Sequence, residues 1–69
     1  MFPNLNAEMA REKMSIKRLS EIANIQYDSL KNKMRGDTEF RRDEMYRIKK
    51  NAFPSFTVDY LFKVEEKGE

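Results

Sequence analysis

The side chains with the widest choice of chemistry in this 69-residue chain lie between residues 27 and 35. Four of the polar residues in this segment are candidates for contact with a partner: Tyr27, Asp28, Lys31 and Asn32. They are separated by one, three and four residues, and positions three or four apart share one face of a helix. The spacing therefore predicts a single polar helix face that contacts charged and polar groups.

Catalytic chemistry has little support in the composition. The chain contains no histidine and no cysteine, which excludes imidazole bases, thiol nucleophiles, disulfides and zinc sites built from those ligands. Its serines have no histidine partner, and no pair of carboxylates stands at a spacing that indicates a pocket. We predict no enzyme activity, no metal, no cofactor and no small-molecule substrate.

Apolar residues that recur at the helical period predict an all-α domain over residues 1–63. The five predicted helices cover residues 5–13, 16–24, 27–35, 42–51 and 58–63. Asn4, Ser15 and Thr57 are the predicted N-caps, and Asn24 and Gly36 suit the left-handed position at a helix end. The residues expected to face the core are Leu5, Met9, Ile16, Leu19, Ala23, Leu30, Met34, Phe40, Met45 and Ile48.

Charge is distributed unevenly along the chain. The net charge is only +2, but residues 31–50 hold eight cations against four anions. Residues 64–69 hold three glutamates against one lysine and predict a disordered acidic tail. A basic middle followed by an acidic end favours an anionic partner for the middle of the chain.

Residues 15–36 have the spacing of a helix-turn-helix, because two short helices are separated by a turn of about three to four residues. A close helix crossing needs a small residue such as Ser20, and the turn needs a flexible one such as Asn24. Over about residues 5–62 the sequence resembles the lambda-repressor-like helix-turn-helix family, the XRE and Cro group of phage and bacterial transcriptional regulators. The resemblance rests on Ser15, the run from Leu19 to Ile25, Leu30, Arg35-Gly36 and Asp59-Tyr60-Leu61.

The chain departs from the family pattern at several positions. Asn24 replaces a frequent glycine, and Ile16 replaces a frequent glutamine. Members often pair an arginine of the first helix with a glutamate before the Arg-Gly, and here those positions are Met9 and Met34. Replacing both partners of a buried ion pair by apolar groups is often neutral or stabilising. The double change predicts that the two methionines touch.

The resemblance implies a compact five-helix DNA-binding domain that places the helix of residues 27–35 in the major groove. On this interpretation Asn32 pairs with adenine and Lys31 donates to guanine. Tyr27 packs on a thymine methyl group, and Asp28 either accepts from cytosine or holds Lys31 or Arg35 in place. The alternative is that these residues form an ordinary solvated helix face.

Contacts to phosphates are expected from residues around this helix. The predicted set is Ser15, Lys17, Arg35, Thr38, Arg41 and Arg42. Arg41 and Arg42 begin a helix, where positive charge is unfavourable unless an anion binds. The alternative is that Asp43 and Glu44 neutralise these two arginines. We rank Lys33 below Arg35, because it lies near the margin of the buried side.

The expected partner is a double-stranded DNA operator, which family members usually bind as homodimers. Four aromatic residues of the C-terminal segment are candidates for a dimer seam: Phe53, Phe56, Tyr60 and Phe62. The equal alternative is that these residues complete the core. No apolar stretch approaches the roughly 20 residues of a membrane span. We expect the bacterial cytosol or nucleoid as the location.

Two classes of function remain open from the sequence. The first is a sequence-specific repressor of phage or mobile-element type, which acts by occupying an operator. The second is a protein-interaction module, such as an antitoxin-like or anti-repressor domain, that uses residues 27–35 to bind a protein. The low net charge and Asp28 favour the second class slightly.

Overall fold

In the computed structural model, residues 1–64 are described, and they form five α-helices without a strand. The helices are α1 (Pro3–Arg11), α2 (Ile16–Ala23), α3 (Tyr27–Arg35), α4 (Arg42–Ala52) and α5 (Val58–Leu61). The prediction of an all-α architecture with five helices is confirmed over this range. Of the predicted acidic tail, residues 65–69 lie outside the described residues.

Local sequence determines most of the helix ends. The Ser15 hydroxyl accepts a hydrogen bond from the backbone N–H of Arg18 at 3.0 Å, which caps α2 as predicted. The Thr57 hydroxyl caps α5 in the same way through the N–H of Tyr60 at 3.0 Å. Gly36 ends α3 at a φ of 89°, a left-handed conformation that suits glycine because it has no Cβ.

The predicted start of the first helix is wrong. α1 begins at Pro3, so Asn4 lies inside the helix and does not cap it. The Asn4 carboxamide instead donates to the backbone carbonyl of Tyr60 at 2.9 Å, which ties α1 to α5. The helix also ends earlier than predicted, at Arg11, and Lys13 takes a left-handed φ of 55° in the turn that follows.

Each helix contributes one large, fully buried aliphatic side chain to the core. These residues are Leu5, Leu19, Leu30, Ile48 and Leu61. α2 packs against α3 and α4, while α5 packs against α1 and α4. Met45, which was predicted to be buried beside Ile48, is only partly covered. Met9 and Met34 are both buried in the same apolar cluster, and direct contact between them stays a prediction.

Three phenylalanine rings close one side of the domain. The rings of Phe2, Phe40 and Phe62 meet edge to face, with centroids 4.9 to 5.8 Å apart. Aromatic pairs prefer this geometry, because the positive edge of one ring meets the negative face of another. The cluster joins the start of α1, the segment before α4 and the end of α5. Phe40 thus packs on the core, as predicted.

A buried carboxylate links the first and last helices. Glu8 is only 3% exposed, and its carboxylate accepts from Arg11 Nε at 3.0 Å and from the Tyr60 hydroxyl at 2.8 Å. The hydrogen bond from Arg11, followed by that from Tyr60, lowers the pKa of Glu8. The same carboxylate raises the pKa of the Tyr60 phenol, because it favours the protonated form.

The helices of residues 1–64 are too short and too polar for any of them to cross a bilayer.

Candidate nucleic-acid interface

α3 is positioned by α2 and by the three residues that join them. Leu30 and Met34 point into the core, and Ile25 is buried in the connection. On α2 the small Ser20 is buried, and its hydroxyl donates to the carbonyl of Lys17 at 2.6 Å. A buried side chain of this size leaves room for close helix packing. One side of α3 is thereby fixed, and the opposite side faces solvent.

The solvent face of α3 brings together the four residues predicted to contact bases. Tyr27 and Asp28 are exposed, and Lys31 and Asn32 are partly exposed. The Lys31 ammonium lies 5.6 Å from the centroid of the Tyr27 ring, within the range of a cation–π interaction. Tyr27 and Lys31 therefore present one combined aromatic and cationic surface.

Arg35 extends this face toward the end of α3 and is engaged by its neighbours. Its guanidinium donates to one carboxylate oxygen of Asp37 through Nη2 at 2.7 Å and Nε at 3.2 Å. Nη2 also donates to Oδ1 of Asn32 at 3.3 Å. The left-handed turn at Gly36 brings Asp37 back against the last turn of α3. A phosphate must compete with this carboxylate for Arg35.

The two arginines at the start of α4 differ in their surroundings. Arg41 lies 3.6 Å from Asp43, measured between Nε and Oδ1. Asp43 also faces Arg47 on the next turn at 3.9 Å. Within residues 1–64, Arg42 takes part in no ion pair, and its side chain is exposed. The expected neutralisation by Asp43 therefore applies to Arg41.

A partly buried ion pair fixes α3 relative to α4. The Lys33 ammonium lies 3.7 Å from Oε1 of Glu44, and both side chains are nearly nine-tenths buried. The same Oε1 accepts the backbone N–H of Arg41 at 2.9 Å, and Lys33 approaches the carbonyl of Glu39 at 3.4 Å. The low rank of Lys33 for phosphate contact was predictable from the sequence, but its pairing with Glu44 was not.

The remaining residues of the predicted phosphate set lie at the surface. Lys17 is exposed in the first turn of α2, and Thr38 is exposed in the segment between α3 and α4. Ser15 uses a lone pair of its hydroxyl to cap α2, which leaves the hydroxyl proton able to donate to a phosphate oxygen.

The aromatic residues considered for a dimer seam mostly complete the core. Phe53 is 4% exposed, and Phe56 and Phe62 are partly buried against the core. Tyr60 is 37% exposed, but its ring stacks on Phe56 with centroids 5.3 Å apart, and its hydroxyl binds Glu8. These contacts favour the alternative that the segment serves the fold.

The arrangement as a whole can recognise hydrogen-bonding groups and anions. Within the described part of the chain, no group of three histidine, cysteine or acidic side chains could hold a metal ion. No protein-family model, curated protein or solved structure matches the chain.

Proposed function

We propose that this protein is a sequence-specific DNA-binding transcriptional regulator with a lambda-repressor-like helix-turn-helix. The observation that carries the proposal is the solvent face of α3, where Tyr27, Asp28, Lys31 and Asn32 stand together while the opposite face is held by the core. A major groove about 12 Å wide admits one helix, and its base edges offer donors and acceptors to such side chains. Binding to an operator represses transcription by steric exclusion.

Residues beside α3 support contact with phosphates. Lys17 extends from the first turn of α2, and Arg42 extends from the first turn of α4. α2 packs against α3, and α4 packs against the same α2, so both cations belong to elements that are connected to the proposed reading helix through α2. Cations at such positions fix the register of a domain on the duplex without reading its sequence.

The experiment that tests this proposal is a selection from random duplex oligonucleotides, followed by binding titrations with the enriched site. We expect an enriched sequence, and an affinity that falls steeply as salt rises. Lys17→Ala should weaken binding to all duplexes and flatten the salt dependence. Asn32→Ala should relax the preference at one base pair.

Lys63→Ala is the matched control for the loss of a cation, because Lys63 is exposed after α5 and lies outside the predicted interface. This variant should retain the base preference and nearly all of the salt dependence. If no duplex is enriched or shifted at low salt, the regulator function is wrong.

One observation favours the second candidate, a protein-interaction module. The face of α3 mixes an aromatic ring, a cation and the carboxylate of Asp28, and Asp37 already occupies Arg35. Tyrosine and arginine are enriched at the energetic centres of protein interfaces. An anti-repressor or antitoxin-like domain would bind its protein partner with a weaker dependence on salt, because no counterions condensed on DNA are released. It would enrich no duplex sequence.

A further inference from the structure

The connecting segment of residues 36–41, between α3 and α4, leads to the phosphate contacts that are expected beside α3. Thr38 and Arg41 lie in the connecting segment, and Arg42 follows it as the first residue of α4. All residues of the connecting segment are exposed except Phe40, which packs on aromatic rings beside α1 and α5. The segment therefore has few buried side chains of its own to fix its position.

Lys33 joins α3 to the connecting segment and to the first turn of α4. In residues 1–64 the backbones of α3 and α4 do not approach each other closely, and each packs on α2 instead. The Lys33 ammonium reaches across, to 3.4 Å from the carbonyl of Glu39 and 3.7 Å from Oε1 of Glu44. The same Oε1 accepts the backbone N–H of Arg41 at 2.9 Å. One cation thus acts on the residues before and after Arg41.

The burial of this ion pair distinguishes it from the exposed pairs nearby. The side chains of Lys33 and Glu44 are only 13% and 12% exposed, so salt screens their attraction less than that of a surface pair. Desolvation opposes the attraction, so such a pair need not add to stability. The pair of Arg35 and Asp37 also links α3 to the connecting segment, but it is more than half exposed and holds only the start of the segment.

We propose that Lys33, acting through Glu44 and the carbonyl of Glu39, is a positioning residue that holds the phosphate-contacting residues 38–42 in place beside α3. Lys33 itself does not contact DNA in this role. Arg42 should depend on it most, because Arg42 takes part in no ion pair within residues 1–64 and is free to bind a phosphate. The inference rests on the proposed function.

The double variant Lys33→Met, Glu44→Gln removes the link without changing the net charge. Methionine has no donor for the carbonyl of Glu39, whereas glutamine keeps an oxygen that can accept the N–H of Arg41. Because both charges are removed together, no unpaired charge is left buried. Circular dichroism melting should therefore show a folded domain. Lys33→Met alone, which leaves Glu44 intact, is the second variant if the double variant does not fold.

The first readout is the salt dependence of binding to the enriched duplex. Loss of the phosphate contact by Arg42 should flatten the slope of log affinity against log salt by about 0.9. Between about 50 and 200 mM salt, the double variant would then lose about 3.5-fold less affinity than the unaltered protein loses. The base preference should remain, because no residue on the exposed face of α3 is changed.

A double-mutant cycle with Arg42→Ala separates positioning from a direct contact by Lys33. If Lys33 acts by positioning, Arg42→Ala flattens the slope by about 0.9 in the unaltered protein but has little further effect in the double variant. If Lys33 bound a phosphate itself, the two effects would add to about 1.8, and the inference would be wrong.

Arg11→Met, Glu8→Gln is the matched control. It makes the same kinds of replacement in an ion pair of α1, outside the predicted interface, whose carboxylate side chain is 4% exposed. The salt dependence and the base preference should both stay as in the unaltered protein. For Lys33→Met alone, Lys63→Ala controls for the loss of one cation.

A second readout uses the free protein. Heteronuclear NOE values of the backbone amides report order on the picosecond to nanosecond timescale. The values of residues 38–42 should fall in Lys33→Met, Glu44→Gln and stay unchanged in Arg11→Met, Glu8→Gln. Unchanged values in the first variant, or an unchanged salt dependence, would overturn the inference alone. A selection that enriches no duplex overturns the proposed function together with this inference.

Discussion

Removing the carboxylates that pair with the interface arginines should make DNA binding more sensitive to salt. Asp37 engages Arg35 at 2.7 Å, and Asp43 lies 3.6 Å from Arg41. All four side chains are more than half exposed, so their pairing contributes little to folding stability. The double variant Asp37→Asn, Asp43→Asn should therefore fold normally while it releases both arginines for phosphates.

The magnitude follows from counterion release. The logarithm of the affinity falls with the logarithm of salt concentration by about 0.9 for each phosphate that is neutralised. If Lys17, Arg35, Arg41 and Arg42 all neutralised phosphates, the slope for each domain would be about −3.6. With the two paired arginines already compensated, only Lys17 and Arg42 should contribute fully, and the expected slope is about −1.8. The double variant should move the slope from the smaller value toward the larger.

Fluorescence anisotropy titrations of the selected duplex, carried out between about 50 and 200 mM salt, measure this slope. Lys63→Ala is again the control, because it removes an exposed cation that lies outside the predicted interface. A slope near −3.6 in the unaltered protein, with no increase in the double variant, would show that Asp37 and Asp43 do not restrain the arginines.

Three further predictions concern stability. Gly36→Ala should lower the free energy of unfolding by about 1 to 2 kcal/mol in urea titrations, because the φ of 89° is unfavourable for a residue with a Cβ. Leu61→Ala should cost about 2 to 5 kcal/mol by the same measurement, because the side chain is fully buried and its removal leaves a cavity. Glu8→Gln should reduce the fall in melting temperature that acidification causes, because Arg11 and Tyr60 lower the pKa of Glu8 below its ordinary 4.5. This stabilisation is complete above pH 4.5 and is lost as the pH falls through the lowered pKa.

Each of these predictions has an outcome that contradicts it. Equal stability of Gly36→Ala would mean that α3 ends without a left-handed residue. A loss below about 1 kcal/mol in Leu61→Ala would exclude α5 from the cooperative core. If acidification lowered the melting temperature of Glu8→Gln and of the unaltered protein equally, the carboxylate would gain nothing from Arg11.

The helix ends show which parts of the fold are local enough to be predicted. Ser15 and Thr57 cap helices with their own hydroxyl groups, and Gly36 supplies a conformation that other residues adopt at a cost. These features involve three or four consecutive residues, so the sequence pattern is sufficient. Asn4 had the same local pattern, but the carbonyl of Tyr60, 56 residues away, provides its hydrogen-bond partner. A contact of this kind appears only once the helices have packed.

The candidate site was predictable in the same limited sense. Helical spacing placed Tyr27, Asp28, Lys31 and Asn32 on one face, and the structure brings them together. The hydrogen-bond partners of the polar side chains were not predictable. Asp37 binds Arg35, for example, because the turn at Gly36 directs it there. The buried carboxylate of Glu8 was also missed. Its i, i+3 spacing to Arg11 was visible in the sequence, but Tyr60 is 52 residues away.

The low net charge of +2 argues less strongly against DNA binding once the pairing of the arginines is considered. Non-specific affinity depends on phosphate contacts, and a regulator must distinguish its operator from a very large number of competing sites. If the protein binds DNA as proposed, the carboxylates of Asp37 and Asp43 weaken phosphate contacts by Arg35 and Arg41 but leave the exposed face of α3 in place. Under the proposed function, this pairing lowers binding to unrelated DNA more than it lowers discrimination between bases. A small domain that carries its cations in this way can remain selective without a strongly positive surface.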